Sequence, residues 1–443
     1  MLSPYLINRN NSARARAFAQ IFKSTQSLGR SISRKNRSDW TVLATLLLVS
    51  CWQLFCSSQL YGLPPDMNAA AAAKTKAGLE ALAHIPTDFP GSKTAGNFIT
   101  FDAPAAVKGT FPSKINQTGM VTGYYNDANS VSHGFLRDQS GNFTTFDIPS
   151  ATFGIAPTGI NPEGVITGVY YDINFLGHGF VWAKNGPVAT FDAPGAAFIG
   201  TVPSDINPAG EITGSYYDVN FVGHGFVRAK NGTLTTFDAP GAGTTGNFPG
   251  TYAVCITPNG TTVGMYTDVN GDTHGFLRTT GGGFTTFDPP GSIAVFAAFS
   301  FGQNLYINPD GLITGTYFEP ISGNPFGGNY RVFVRAVDDT FTTFDAATYP
   351  PCCIWSFPCG ITPAGAITGS LNDGYQVNHG FLRASDGTVT TFDVPEAGKS
   401  INQGTAPLGI TPAGEIMGLY IDANRVTHGF LFQVKPLQGG AGN

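Results

Sequence analysis

Histidine and aspartate recur together in this chain at a fixed spacing, and such a pair can transfer protons or bind a metal. Six histidines precede Gly-Phe, and each follows an aspartate by six residues: His133 after Asp127, His178 after Asp172, His224 after Asp218, His274 after Asp268, His379 after Asp373 and His428 after Asp422. A carboxylate that accepts an imidazole N–H can orient the ring for catalysis or tie a turn. An enzyme needs one such pair, so six copies favour a structural role.

The same pairs are poor metal sites. One histidine and one aspartate supply too few ligands for zinc, which takes about four. The stretch DVNGDTHGF, residues 268–276, has oxygen ligands at alternating positions as calcium loops do, but it lacks the later bidentate glutamate. We therefore expect no metal and no cofactor, with Ca²⁺ at this turn as the alternative.

The pairs lie within a sequence that repeats from residue 96 onward. Phe-Asp pairs end at Asp102, Asp147, Asp192, Asp238, Asp288, Asp345 and Asp393. A glycine in ITG-like stretches falls at Gly123, Gly168, Gly214, Gly264, Gly315, Gly369 and Gly418. The phenylalanine of HGF falls at Phe135, Phe180, Phe226, Phe276, Phe333, Phe381 and Phe430. Each landmark therefore marks seven copies of one unit.

Each unit is typical of four short strands, A to D. In the third unit, strand A ends at Ile206, and EITGSYY, HGFVRA and TLTTFD form strands B, C and D. Glycine and proline mark the turns, and the chain holds 57 Gly, 30 Pro and 35 Phe with only 12% charged residues. The sequence therefore predicts an all-β fold, a seven-bladed β-propeller over residues 96–435 followed by a tail, 436–443.

The two ends of the repeat region complement each other. The stretch NFITFDAP, residues 97–104, is a D strand with no A, B or C before it, and the last unit stops after strand C. We expect this N-terminal strand to pair with the last blade as its outer strand and so close the ring.

The motifs HGFLR, FTTFD followed by APGA, and INPAG resemble those of bacterial extracellular repeat proteins of the HAF type, named for a His-Ala-Phe motif. The resemblance covers about residues 96–432, with Gly in place of Ala at the second motif position. It implies a surface or secreted location and a repeat architecture, and it brings no established activity and no catalytic residues.

Length varies on one side of the predicted disc. The A–B and C–D connections have constant lengths, whereas the D–A and B–C connections vary, and both of these emerge on one face, called here the variable face. The irregular segments 289–304, 319–330 and 346–359 cluster in one sector, in which Arg331 replaces the histidine. The candidate binding residues there are Phe296, Phe299, Glu319, Phe326, Tyr330, Arg331, Tyr349, Trp355 and Phe357. The alternative is that these aromatic side chains cover blade edges and fill their own loops.

Cysteines cluster in the same sector. Cys352, Cys353 and Cys359 share one segment, and a disulfide between Cys359 and one of the other two is predicted for an oxidising compartment.

The first 95 residues indicate export. Residues 1–38 form a basic leader with eight Lys and Arg and no acid, and residues 39–56 are largely apolar, with a length that favours a signal segment over a full bilayer span. Leu48-Val49-Ser50-Cys51 resembles a bacterial lipobox, which makes Cys51 the candidate lipidation site. Residues 57–95 form an Ala-rich spacer. The alternatives are ordinary secretion and an uncleaved anchor, so a lipoprotein, a secreted protein or a membrane contact limited to the N-terminal anchor is expected.

Charge and motifs narrow the function classes. Beyond residue 38, 16 bases face 29 acids, a formal charge of −13, which argues against a nucleic-acid partner. Neither a Gly-x-Ser-x-Gly elbow nor a Walker-type loop occurs. We predict a monomeric, extracytoplasmic binding module for a glycan or a cell-envelope component, and not an enzyme. The alternatives are a secreted carbohydrate-active enzyme that uses carboxylates on the variable face, such as Glu319, and an envelope protein without a specific ligand.

Overall fold

The computed structural model describes residues 96–434, apart from 198, 247, 293, 297–304, 322–323, 347–354 and 374. The chain divides into two compact units, Met1–Phe89 and Pro90–Asn443, and every described residue belongs to the second. The predicted leader, apolar segment, spacer and tail lie outside the described residues. Within the described part there is no helix with the length and apolar character needed to cross a membrane.

The described residues form β-strands and no helix, and the strands group by sequence repeat. Sheet 1 comprises β2 (Thr110–Ile115), β3 (Val121–Asn126), β4 (Ser132–Arg137) and β5 (Phe143–Phe146). Sheet 2 comprises β6 (Ile155–Ile160), β7 (Ile166–Tyr171), β8 (Gly177–Trp182) and β9 (Ala189–Phe191). Sheet 3 comprises β10 (Thr201–Ile206), β11 (Ile212–Tyr217), β12 (Gly223–Arg228) and β13 (Leu234–Phe237). Sheet 4 comprises β14 (Gly250–Ile256), β15 (Thr262–Thr267), β16 (Thr273–Arg278) and β17 (Phe284–Phe287).

The later repeats follow the same order. Sheet 5 comprises β18 (Ala294–Phe296), β19 (Leu305–Ile307), β20 (Ile313–Ile321), β21 (Asn324–Arg335) and β22 (Phe341–Phe344). Sheet 6 comprises β23 (Trp355–Ile361), β24 (Ile367–Asn372), β25 (Asn378–Arg383) and β26 (Val389–Phe392). Sheet 7 comprises β27 (Gly404–Ile410), β28 (Glu415–Ile421), β29 (Thr427–Val434) and the N-terminal β1 (Gly96–Phe101). The predicted all-β class and its four-stranded antiparallel sheets are confirmed.

The repeated phenylalanine and glycine form the centre of each sheet. The HGF phenylalanines of all seven repeats are fully buried. The ITG glycine makes room for them: a Cβ on Gly214 would lie 2.3 Å from the carbonyl oxygen of Val202 and 2.8 Å from the Phe226 ring. A side chain at this position would therefore push strand A away from strand B.

Sheet 5 departs from the pattern inside its first strand. β18 and β19 both pair with β20, and residues 297–304 separate them one residue pair away from the position where the other first strands have a one-residue bulge. The sequence predicted an irregular loop over all of residues 289–304, and this was wrong for Ala294–Phe296, which form a strand. The β20–β21 hairpin is also longer than the equivalent hairpins.

The sheets follow one another with their first strands in contact. β2, β6, β10, β14, β19, β23 and β27 contact each other in that order, and β27 also contacts β2. Single parallel bridges join the third strand of one sheet to the first of the next, as between Gly223 and Gly250. β1 pairs with β29 in an antiparallel register from Gly96↔Val434 to Phe101↔Gly429.

Candidate functional site

The six repeated histidines lie at the start of the third strand, at the variable face, and each contacts two carboxylates. Nδ1 lies 2.6–3.0 Å from the aspartate that ends the fourth strand. Nε2 lies 3.5–3.9 Å from the turn aspartate six residues earlier. Because a carboxylate only accepts, Nδ1–H donates the shorter bond. The main partner is therefore the strand-end aspartate, which the sequence analysis did not pair with the histidine.

The turn aspartates bind the backbone. Oδ1 of each accepts the N–H groups two and four residues further on at 2.7–2.9 Å, in the turns of Asp127, Asp172, Asp218, Asp268, Asp373 and Asp422. These bonds close the turn without the imidazole. The predicted aspartate–histidine tie is within hydrogen-bond distance only for His379, and at 3.5 Å it is long.

An aromatic ring supports five of these histidines. Tyr125, Tyr170, Tyr216, Tyr266 and Tyr420 stack on the imidazole of the neighbouring strand with ring centroids 4.9–5.0 Å apart. A ring with a carboxylate on Nδ1 and a tyrosine on its face is fixed in orientation. Because this arrangement recurs in sheet after sheet, it is a repeated clamp between the third and fourth strands.

His379 is the most deeply placed of these histidines. Burial by itself lowers the pKa of His379, but hydrogen bonds and charge from Asp373 and Asp393 outweigh burial and raise its pKa to about 9. The imidazole is therefore protonated at neutral pH and forms an ion pair with both carboxylates.

Arg331 occupies the corresponding position in sheet 5. Its Nε donates to Asp345 Oδ1 at 3.1 Å, and its NH1 donates to Glu319 Oε2 at 3.1 Å. Burial acts to lower the pKa of Arg331, yet the bonds to both carboxylates raise it overall. Asp345 is the strand-end aspartate of this repeat, so Arg331 bridges two carboxylates as the histidines do. Glu319 is engaged in this ion pair, which does not favour it as an isolated catalytic acid.

The structure brings part of the predicted sector together through its backbone. Tyr330 pairs with Phe318 across the β20–β21 hairpin and with Trp355 of the next sheet. The rings of Phe318 and Tyr330 meet edge to face with centroids 5.2 Å apart. Phe357 lies on β23 and is half-buried.

Five of the candidates are described only in part or not at all. Phe296 and Phe326 lie on β18 and β21, and with Trp355 they are described by their backbone alone. Phe299 and Tyr349 lie outside the described residues. Their assignment to a binding patch stays a prediction.

A partly buried polar cluster along the first strands was not predicted from the sequence. Asp205 accepts the N–H of Ile256 at 3.1 Å, Cys255 contacts the carbonyl of Leu305, and Lys114 Nζ lies 5.1 Å from the ring centre of Tyr306. The sequence did hold a pattern that could have predicted this cluster. The residue before the isoleucine that ends each strand A is Gly in three repeats and Lys, Asp, Cys or Tyr in the other four. Four different repeats contribute to this cluster.

The thiols described here are poor nucleophiles. Burial raises the pKa of both Cys255 and Cys359 to about 12, so both are neutral at ordinary pH. Cys352 and Cys353 lie outside the described residues, so the disulfide to Cys359 stays a prediction.

The oxygen-rich turn at 268–276 has the same geometry as the other turns. Asp268 Oδ1 accepts the N–H of Asn270 and Asp272, and Oδ2 accepts the Asn270 side-chain amide. These protein donors hold the carboxylate as they do in turns without the alternating oxygens. Within the described ranges no group of three or more His, Cys, Asp or Glu is placed to hold a metal.

Comparisons with known proteins give distant structural neighbours only. No family model and no curated protein matches the chain. A streptogramin B lyase structure matches with a TM-score of 0.47 and 15% identity over 76% of this chain and 97% of that one. Virginiamycin B lyase from Staphylococcus aureus gives 0.48 and 13% over 77% and 100%. AofleA from Arthrobotrys oligospora gives 0.40 and 14% over 74% and 99%. At TM-scores this low, these neighbours carry no inference about this chain.

Proposed function

We propose that the sheets are the seven blades of one β-propeller, closed by β1 as the outer strand of the last blade. The pairing of β1 with β29 supports this, and so does the bond from His428 to Asp102, which repeats the histidine clamp across 326 positions of sequence. Contact between β27 and β2 supports the same closure.

A second repeated contact supports the ring independently. The residue two positions after each HGF phenylalanine packs on the fourth-strand phenylalanine of the preceding sheet, with 4.3–5.2 Å to the ring centre. The pairs are Trp182 on Phe146, Arg228 on Phe191, Arg278 on Phe237, Arg335 on Phe287, Arg383 on Phe344 and Phe432 on Phe392. In sheet 1 the same position, Arg137, packs on Phe101 of β1 at 4.9 Å. β1 thus takes the place of a preceding blade's outer strand.

Ring closure can be tested with a disulfide. Ile99 lies directly opposite Leu431 in the β1–β29 register, so Ile99→Cys with Leu431→Cys should crosslink on oxidation and raise the unfolding temperature. Val107→Cys with Leu431→Cys is the control, since these positions do not pair. Free thiols at positions 99 and 431 in a folded, oxidised variant would contradict closure.

The function that this arrangement supports best is that of a binding module on the variable face, centred on sheets 5 and 6. The observation that carries it is the concentration of departures from the repeat: the interrupted first strand, the long β20–β21 hairpin and the exchange of histidine for Arg331 all fall in one sheet. Tolerated variation on one face of a repeat scaffold is typical of a binding surface. The acidic body favours a neutral or cationic ligand, of which a glycan or an envelope component is the kind expected outside the cytoplasm.

Export remains part of the proposal. The basic residues before position 39, the apolar segment and the lipobox-like Leu48–Cys51 support an extracytoplasmic location with lipidation at Cys51. Mass spectrometry of the mature N-terminus tests this, because a mature chain that begins unmodified at another residue contradicts lipidation.

The binding proposal is tested by screening the full chain against a glycan array and cell-envelope fractions. Tyr330→Thr places at this position the residue found there in sheets 4 and 7, and it should weaken retention at least about tenfold without unfolding the protein. Val337→Thr is the matched control, because Val337 belongs to the same repeat but is exposed at the opposite end of its strands. Retention that survives Tyr330→Thr unchanged would remove this residue from the site, and no retention by the wild type would contradict the proposed ligand class.

A further inference from the structure

A second surface stands out on the variable face, away from sheets 5 and 6. Large apolar side chains are exposed in the B–C turns and D–A connections of sheets 2 to 4. They form what is called here the apolar belt: Phe175, Ile199, Val219, Phe221, Phe248 and Val269, each between 39% and 73% exposed. At the opposite ends of the strands, the described residues expose one large apolar side chain, Val337.

Backbone hydrogen bonds join these loops into one surface. Gly177 N–H donates to Ile199 O at 3.1 Å, and Ala197 N–H donates to Tyr217 O at 2.7 Å, just before Val219. Gly223 N–H donates to Pro249 O at 2.9 Å, and Gly243 N–H donates to Thr267 O at 2.7 Å. Each loop is therefore held against its neighbour from the next sheet.

The phenylalanines of the apolar belt have a backbone conformation that bulky residues rarely adopt. Phe175, Phe221 and Phe248 have φ of 62°, 64° and 52°, in the left-handed region that favours glycine. The equivalent position of the turn is Ser130 in sheet 1 and Gly271 in sheet 4, so folding does not require an aromatic there. Phe175 stacks on Phe153 with centroids 3.8 Å apart, yet it stays 44% exposed. A bulky ring that stays half-exposed in a strained backbone position favours a role at the surface.

The charge around the belt has one sign. Between residues 150 and 292 the variable face carries Asp172, Asp192, Asp218, Asp238, Asp268, Asp272 and Asp288. The bases of that segment, Lys184, Arg228, Lys230 and Arg278, all lie at the other ends of the strands. His178, His224 and His274 each contact two of these carboxylates, one through Nδ1 and one through Nε2.

We propose that the apolar belt and its surrounding carboxylates bind a cationic amphipathic segment of another protein. Apolar side chains of such a segment cover the belt, and its Lys and Arg side chains reach the aspartates at the rim. An anionic lipid surface would be repelled by the same carboxylates, so charge complementarity favours a basic peptide over a bilayer. This surface is separate from the one proposed on sheets 5 and 6.

The test measures binding of a fluorescent helical peptide of Lys and Leu to the full chain by anisotropy. The variant combines Phe175→Ser with Phe221→Gly, the residues that sheets 1 and 4 carry at this turn position. We expect affinity to fall at least about tenfold while the protein stays folded, since Gly relieves the positive φ at position 221 and Ser is the residue that sheet 1 carries at the same φ. Affinity for the wild type should also fall as salt is raised.

Three controls separate the outcomes. Val337→Ser on the opposite face and Tyr330→Thr in sheet 5 should leave Lys/Leu peptide binding unchanged, so a loss there would place binding elsewhere. A Glu/Leu peptide of the same length should bind far more weakly, and equal binding would overturn the charge argument. Vesicles of phosphatidylglycerol and phosphatidylcholine should not bind, and binding that depends on Phe175 and Phe221 would assign the belt to lipid instead. Failure of the wild type to bind the Lys/Leu peptide would overturn the proposal but leave the glycan screen unaffected.

Discussion

Sheet 3 and sheet 5 begin from the same repeat and use it differently. In sheet 3, strand A is continuous and His224 is hydrogen-bonded to Asp238. The turn between β11 and β12 has the normal length, and Asp218 closes it by accepting the N–H of Val222. In sheet 5, strand A is interrupted, Arg331 replaces the histidine and the hairpin extends to Ile321. Both sheets keep the buried phenylalanine and the strand-end carboxylate. The core therefore constrains the inner part of each sheet, whereas the end at the variable face is free to change.

The position before the phenylalanine shows how the core adapts. In sheet 3 a Cβ on Gly225 would lie 2.4 Å from the Phe237 ring, so the ring occupies the space of a side chain. In sheet 5 this position is Val332, which is fully buried and pairs with Phe344. The change from HGF to RVF thus alters both the charge at the surface and the packing beneath it.

The largest expected difference between the two sheets concerns the ITG glycine. Gly214→Ala should destabilise the fold by about 3 kcal/mol, because the new Cβ meets the backbone carbonyl of Val202 at 2.3 Å. Gly315→Ala should cost less, about 2 kcal/mol, because among the described residues the atoms nearest to its Cβ belong to the side chains of Leu305 and Phe333, at 2.8 Å, and not to a backbone carbonyl. Urea denaturation measures both.

Gly281→Ala is the control for these two variants, since its Cβ would have no atom nearer than 3.9 Å and should leave stability nearly unchanged. Equal losses for Gly214→Ala and Gly315→Ala would show that strand A is as tightly packed in sheet 5 as elsewhere.

The next prediction compares His379, which loses its charge between pH 6 and pH 10, with Arg331, which keeps its charge over that range. The folded-state pKa of His379 is about 9 against an ordinary value of 6.5, so its contribution is fully present below pH 6.5 and is lost as pH rises through 9. His379→Gln should therefore destabilise the protein by about 2 kcal/mol at pH 6 and by much less at pH 10. The free energy of unfolding at the two pH values measures the change.

Arg331→Gln provides the comparison in sheet 5. The pKa of Arg331 is raised above its already high ordinary value, so the cost of this variant should be the same at pH 6 and pH 10. A loss for His379→Gln that does not depend on pH would contradict the protonated clamp.

Much of the fold was predictable because every repeat places its strands and turns at nearly the same spacing along the sequence. The isoleucines predicted to end strand A do end β2, β6, β10, β14, β19, β23 and β27. The histidine's partner was missed because it was expected across the nearest turn, although the strand-end aspartate follows five of the six histidines at a constant 14 residues, and Asp102 of β1 takes its place for His428. The Lys114–Tyr306 contact joins different repeats, and no spacing within one repeat encodes it.

The smallest expected effect on stability comes from placing histidine at the arginine position of sheet 5 and arginine at the histidine position of sheet 3. Arg331→His should cost about 0.5 kcal/mol, because a histidine can still donate to Asp345 and the lost contact is a partly exposed ion pair with Glu319. His224→Arg in sheet 3 should cost about 1 kcal/mol, because it removes the stack on Tyr216, although Asp218 follows the ITG glycine at the same spacing as Glu319 in sheet 5 and can still face the new guanidinium. Paired urea titrations of both variants measure the difference. A larger loss for Arg331→His than for His224→Arg would mean that Arg331 does more for sheet 5 than replace an imidazole, and the long hairpin would then depend on it.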